Sequence, residues 1–201
     1  MESSEWDARY AAAPELVWTA EPNRFVVEEV AKLAPGRALD LAAGEGRNAV
    51  WLAERGWQTT AVDFSPVAIE RGRQLARERG VQVRWEVADL LKYRPTAGGA
   101  DLVLLIYLHL PAAELASVLH RAAAALAPGG TLLSVGHDLA NLTAGVGGPQ
   151  DPAVLHTPEA IVAELAGLQI KRAETARRPV TVDAETVDAL DTVVVAVQPK
   201  P

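Results

Sequence analysis

Within seven residues, Asp40-Leu41-Ala42-Ala43-Gly44-Glu45-Gly46, the chain sets an acid beside two glycines, and two further acids, Asp63 and Asp89, follow downstream. Glycines at 44 and 46 suit a backbone that bends sharply and lets a ligand approach with no Cβ in the way. A helix starting just after them would aim its free N–H groups and positive end at the same spot, which favours a carboxylate or phosphate. Asp63, closing a run of β-favouring residues, is placed to accept hydrogen bonds from the two hydroxyls of a ribose. Gly44-x-Gly46-x-x-Ala49 also matches the dinucleotide fingerprint, so a nicotinamide dinucleotide fits these residues equally well. Asp40 and Asp89 separate the two readings. Asp40 would repel a pyrophosphate and attract the amino group of an amino-acid moiety, so the ligand should carry a positive group. The structural alternatives are a tight turn for the glycines and capping of the following segments by Asp63 and Asp89.

These residues must be positioned by the elements around them. Residues 37–41 form a short apolar run that stops at the glycines, and 48–55 continue with helical composition. A second strand is predicted over 58–63, followed by a helix with Ser65 as N-cap and Pro66 in its first turn, ending at Gly80. Val81 to Val87 alternates with period two as a strand does, and Ala100 to Ile106 is a nearly unbroken apolar run that suits a central parallel strand. Pro111 opens an alanine-rich helix ending near Leu126, and Pro128-Gly129-Gly130 turns the chain into a strand over 131–135. Residues 138–152 lack periodicity and read as a long surface loop. A helix over 158–166 and strands near 170–173 and 192–197 complete the pattern, with 174–191 expected as a connecting loop that makes the last strand antiparallel. The alternation specifies an α/β, doubly wound Rossmann-like sheet with helices on both faces. Residues 1–201 are read as one domain, with 1–35 a helical cap and 36–201 the core.

Bulk properties bound the function. A length of 201 residues with 49% hydrophobic content supports one normally packed core. The absence of cysteine excludes a disulfide framework, a thiolate zinc site and a cysteine nucleophile, and is compatible with the cytoplasm. The N-terminal residues do not resemble a secretory signal, and the longest apolar stretch, 102–110, is too short to cross a bilayer. A net charge of −7 argues against a nucleic-acid surface. The run Arg71, Arg73, Arg77 and Arg79 is interleaved with Glu70 and Glu78 at helical spacing and reads as a solvated helix face. The four histidines show no metal-ligand spacing, so no metal is expected.

With these motifs in order, the chain resembles the class I S-adenosylmethionine-dependent methyltransferases. Asp-Leu-Ala-Ala-Gly-Glu-Gly looks like the family's glycine motif, Val62-Asp63 its ribose acid, Ala88-Asp89-Leu90 its adenine-contact segment and Pro128-Gly129-Gly130 its turn before the fifth strand. The resemblance implies seven strands in the order 3-2-1-4-5-7-6 with strand 7 antiparallel. One departure is Ala42, where the family usually has glycine. Gly44-Glu-Gly-Arg47-Asn48, with Trp6-Asp-Ala-Arg9-Tyr10 and Trp18 to Asn23, looks like the small tellurite-resistance and thiopurine-type methyltransferases, whose N-terminal segment covers the cofactor.

That resemblance implies roles. Gly44 and Gly46 would meet the methionine end of the cofactor, Asp63 the ribose and Asp89 the adenine amino group, with Phe64 and Leu90 sandwiching the ring. Arg9 is the candidate for the methionine carboxylate. Tyr10, Asp40, Ala42, Asn48, Ser65 and Ile106 complete the cofactor-facing set. Methyl transfer from a sulfonium is an in-line displacement, so the protein mainly aligns reactants and excludes water. His109 is the candidate base, being placed after the fourth strand; His137 comes next, and His120 and His156 read as peripheral. Tyr107 and Tyr10 would flank the sulfonium through their ring faces, packing being the alternative for Tyr107. Trp18, like Trp6, is a lid or a packing residue, and Arg47 either steers an anionic substrate or stands exposed at a helix start. The acceptor is expected to be a small molecule rather than nucleic acid or membrane, on a monomer or homodimer. Two other functions fit the same residues: a non-catalytic S-adenosylmethionine-binding regulatory protein, and an NAD(P)-dependent oxidoreductase, which would lack a Tyr-x-x-x-Lys pair.

Overall fold

A computed structural model describes residues 3–13, 15–17 and 19–201. Its centre is a seven-stranded sheet in the order β3-β2-β1-β4-β5-β7-β6, built from β1 (Arg37–Leu41), β2 (Gln58–Asp63), β3 (Arg84–Val87), β4 (Ala100–Ile106), β5 (Leu126–His137), β6 (Gln169–Val182) and β7 (Glu185–Val197). Strands β1 to β5 pair in parallel, whereas β7 runs antiparallel to both β5 and β6. The expected strand order and the antiparallel seventh strand are both observed.

The helices are α1 (Ser3–Ala12), α2 (Arg24–Val30), α3 (Arg47–Glu54), α4 (Pro66–Glu78), α5 (Ala112–Ala124), α6 (Asn141–Ala144) and α7 (Pro158–Ala163). Alternation along β4 divides the core. Val103 and Leu105 face one layer with Leu115, Leu119 and Ile161, and Leu102 and Leu104 face the other with Phe25, Val26 and Leu52. Each such side chain, fully buried, contributes about 1.5–3 kcal/mol. Among the described residues no helix is long and apolar enough to cross a membrane.

Two segments differ from expectation. Residues 174–191 are no loop: β6 and β7 form one long hairpin, with Val182 paired to Glu185 across the two-residue turn Asp183-Ala184, both at positive φ (49° and 67°). That conformation matches a hairpin turn but lacks the asparagine or glycine that announces one, and Pro179 is tolerated because β6 is the sheet edge. Residues 138–152 are only partly a surface loop. Asp138 and Asn141 are buried; Asp138 accepts from the hydroxyls of Thr175 and Thr192 (2.8 and 2.7 Å), and Asn141 accepts from the Leu190 N–H at 2.7 Å. β3 is also shorter than its alternating pattern, beginning at Arg84.

The carboxyl ends of β1 and β4 adjoin where the strand order reverses, and both open toward the same crevice.

Candidate active site

The loop after β1 is held on its underside. The Ala43 N–H donates to the Val62 carbonyl (3.1 Å), and the Gly44 N–H donates to Asp63 Oδ2 (2.8 Å). Ala42, Gly44 and Gly46 all lie at positive φ, 59°, 55° and 79°. Glycine adopts this region freely, whereas alanine pays about 1–2 kcal/mol there. A Cβ on Gly44 would meet the Tyr10 hydroxyl, and one on Gly46 would strike the Trp85 ring at 2.3 Å. Trp85 lies equally close to Gly72 of α4, so the two glycines clasp its indole.

Asp40 is completely buried, and neither carboxylate oxygen accepts a well-formed hydrogen bond among the described residues. Burial pushes its carboxyl up to about 7; the charge of Arg47 opposes this, Asp63 adds to it, and the nearby Ala49 N–H offsets it weakly. A buried carboxylate without donors costs several kcal/mol unless a cation joins it.

Asp63 is buried and accepts from the Gly44 and Ser65 N–H groups (2.8 and 2.9 Å). Burial still raises its pKa. Asp89 is half-exposed beyond β3; its Oδ1 accepts from the Leu91 N–H and its Oδ2 lies 3.4 Å from Lys92. Leu90 is buried in the core cluster and Phe64 is half-buried. Ile106 ends β4, buried. Two residues of the expected set are committed to the scaffold. Ser65 caps α4 by accepting from the Ala68 N–H (3.0 Å) and donates a short hydrogen bond to Asp7. Asn48 Oδ1 accepts from the Asn23 N–H (2.9 Å), while Asn23 itself caps α2.

The N-terminal segment lies over this loop. Tyr10 is buried, with its hydroxyl above Gly44, whereas Arg9 is exposed and stacks on Trp6 at 5.0 Å. The structure thus brings Tyr10 to the site and leaves Arg9 on the outer surface of α1. Trp18 lies outside the described residues. Arg71 corrects the reading of its helix as wholly solvated: it donates to the carbonyls of Ala13 (2.5 Å) and Glu15 (2.7 Å) and pairs with buried Glu45 at 3.0 Å. Arg73 and Arg77 do stand exposed against Glu70.

Beyond β4 and β5 a second group gathers. Tyr107 sits at φ 58°, a strained conformation for a bulky residue. Its N–H donates to Val135 (2.7 Å), and its hydroxyl donates to Asp191 Oδ2 (2.9 Å). Asp191, fully buried on β7, also accepts from Arg178 Nε at 2.6 Å and stands 3.5 Å from His137 Nδ1. The rings of Tyr107 and His137 are 4.9 Å apart and those of His109 and His137 stack at 5.4 Å. Burial holds the His109 imidazole down at about 4, and burial also lowers His137. Both are therefore neutral near pH 7. His109 Nε2 is buried with no hydrogen-bond partner. A small pocket lies between His109, His137, Ser134, Leu115 and Thr192, and His156 also lines it, its Nε2 3.0 Å from the Leu110 carbonyl. His156 is thus not peripheral, while His120 is, pairing with Glu164 on the surface at 2.9 Å.

Arg178 and Asp191 escape the motif reading because they come from the hairpin expected as a loop. A lone acid before the apolar run Val193 to Val197 is the signal that could have found Asp191. Among the described residues no cluster of three or more histidines and acids could hold a metal ion.

Residues 38–130 match the family described as a methyltransferase domain. Over 113 residues the chain is 35% identical to the demethylmenaquinone methyltransferase of Thermus thermophilus, covering 55% of this chain and 51% of that protein. The chain spans about half or less of the length of the first curated relatives it matches. Among solved structures it superposes with a TM-score of 0.77 at 23% identity, covering 98% of this chain and 92% of the other, on one described as "Conversion of a Disulfide Bond into a Thioacetal Group during Echinomycin Biosynthesis". TehB from Haemophilus influenzae gives 0.73 at 15% identity, covering 88% of this chain and 62% of that one. These likenesses establish the fold.

Proposed function

We propose that this chain, a methyltransferase domain over residues 38–130, transfers the methyl group of S-adenosylmethionine to a small-molecule nucleophile by in-line displacement. The observation that carries the reading is Asp40, a fully buried carboxyl whose oxygens accept no well-formed hydrogen bond among the described residues, set beside a glycine loop of positive φ. An ammonium group is what such a site lacks, and neither a pyrophosphate nor a nicotinamide would supply it. Gly44 and Gly46 let the loop turn toward the methionine end, under Tyr10 and over Trp85, Asp63 retains lone pairs for the ribose hydroxyls, and Asp89, Phe64 and Leu90 line the adenine side. Tyr10 covers the loop and excludes water from it.

The cofactor supplies an electrophilic methyl carried on a sulfonium. The chain's own residues align the acceptor and hold its proton. His109 Nε2 is neutral, buried and partnerless, so it can accept a proton from an acceptor hydroxyl, thiol or amine as the nucleophile attacks. His137, stacked on it, fixes the ring plane. Tyr107, held by Val135 and Asp191, packs against the His137 ring.

Calorimetric titration with S-adenosylhomocysteine tests the binding half: a micromolar dissociation constant is expected, and no heat up to millimolar ligand ends the reading. Binding without turnover against a panel of thiol, phenol and carboxylate acceptors would instead make the chain a regulatory binder. A titration with reduced nicotinamide followed by fluorescence is expected to be silent.

A further inference from the structure

Two arginines neighbour Tyr107 beyond the end of β4, and among the described residues only one of them is ion-paired. Arg178 is neutralised by Asp191, at 2.6 Å from Nε and 3.4 Å from Nη2. Arg47, the first residue of α3, is half-buried and, among the described residues, has no carboxylate within 4 Å of its guanidinium and no hydrogen bond. Its electrostatic neighbours are Tyr107, Asp40, Arg178 and Tyr10. Burial pulls its pKa below the usual arginine value, the mark of a cation that has lost water without gaining a partner. His109 and His137 bring no charge of their own near pH 7.

The charges can be counted across the site. Arg178 and Asp191 cancel. Resting on the methyltransferase reading, Asp40 is committed to the cofactor's ammonium, which leaves Arg47 beside Tyr107 with no carboxylate of the described residues to answer it. We propose that the methyl acceptor is an anion, and that Arg47 anchors its carboxylate or an equivalent oxyanion against Tyr107. The planar guanidinium offers a fork of donors that matches a carboxylate. The sulfonium would add a second positive charge in front of the same acceptor, which favours an anion over a neutral molecule there. The cofactor's own carboxylate shares this chemistry and is the competing occupant; Arg47 neighbours Asp40 and Tyr10 of the donor side as well as Tyr107 and Arg178, and the stronger attraction from Tyr107 than from Asp40 favours the acceptor.

The test uses the protein saturated with S-adenosylhomocysteine and two isosteric probes, benzoate and benzamide, titrated calorimetrically. Benzoate is expected to bind at least tenfold more tightly than benzamide, and Arg47→Gln is expected to abolish that preference while changing S-adenosylhomocysteine affinity less than threefold. Arg47→Lys should retain part of the preference. Because Arg47→Gln removes an uncompensated buried charge, its melting temperature should equal or exceed that of the wild type, which separates lost binding from lost fold. Equal affinity for both probes, or binding of neither, overturns the proposal. A tenfold loss of S-adenosylhomocysteine affinity in Arg47→Gln also overturns it, by giving the arginine to the cofactor. Failure of the wild type to bind S-adenosylhomocysteine at all would instead overturn the methyltransferase reading beneath it.

Discussion

Replacing Asp40 by Asn should stabilise the ligand-free protein at pH 8 while weakening its hold on the cofactor. Asp40 is fully buried, and burial raises its carboxyl from 3.8 to about 7. The folded state therefore binds more protons than the unfolded chain between those values, so stability falls as pH rises through that window. At about 1.36 kcal/mol per pH unit, the charge costs about 4 kcal/mol once pH exceeds 7. The neutral acid and the amide both lack partners in this pocket, so those contributions cancel and the charge difference remains. For a chain of this size each kcal/mol moves the melting temperature by roughly 2–4 °C, giving a gain of about 8–16 °C at pH 8. At pH 4.5 the gap should shrink to about 1 kcal/mol. The wild-type profile alone would hide this. His109, held at about 4, acts in the opposite sense: the unfolded chain binds the extra proton, so its contribution rises with pH between about 4 and 6.5. Thermal unfolding of wild type and Asp40→Asn at pH 4.5, 6 and 8, without ligand, isolates the Asp40 contribution. A gap that is absent at pH 8, or equal at all three values, refutes the assignment of a buried unpaired charge. Calorimetry of the same pair should show S-adenosylhomocysteine bound at least tenfold more weakly by Asp40→Asn.

Other perturbations read other parts of the structure. Proton–nitrogen correlation spectra of the imidazoles should find His109 neutral down to about pH 5, and a ring that titrates near 6.5 would place it in water. Gly46→Ala combines a positive φ with the Trp85 ring and should cost about 2 kcal/mol or more, whereas Gly72→Ala meets the same ring at helical φ and should cost less; equal melting temperatures would deny the Trp85 clasp. Asp191→Asn leaves Arg178 without its buried partner and should destabilise by about 3–5 kcal/mol in denaturant unfolding. Arg71→Gln frees the carbonyls of Ala13 and Glu15, so limited proteolysis within residues 13–17 should accelerate, and unchanged cleavage would show that other contacts hold the segment.

The first half of the sheet was legible because its signals are local. The apolar runs at 37–41 and 100–106 and the cap Ser65-Pro66 each specify an element from a few adjacent residues. Asp40 and Asp63, the acids proposed to face the cofactor, follow from the ends of β1 and β2. What escaped depends on pairing between distant residues. The hairpin turn at Asp183-Ala184 has no glycine, and β6, at the edge, is largely exposed, so no apolar stripe marks it. Arg178 and Asp191 went with it. Ser65 and Asn48 read as facing the cofactor, and their oxygens bond to Ala68 and Asn23, partners that only the folded chain brings together. Arg9 reads either as a partner for the methionine carboxylate or as an exposed helix arginine, and it lies outward on Trp6, a choice between two faces of a short helix that composition does not make.

The long β6–β7 hairpin has an evolutionary consequence. The loop proposed to face the methyl donor is assembled from residues 40 to 90, whereas Asp191 and Arg178 come from one local unit near the end of the chain, closed by a two-residue turn. Mutations that redraw the hairpin's inward positions can change what is admitted without disturbing the donor side. Selection on substrate range and selection on donor affinity therefore act on separate stretches of the gene.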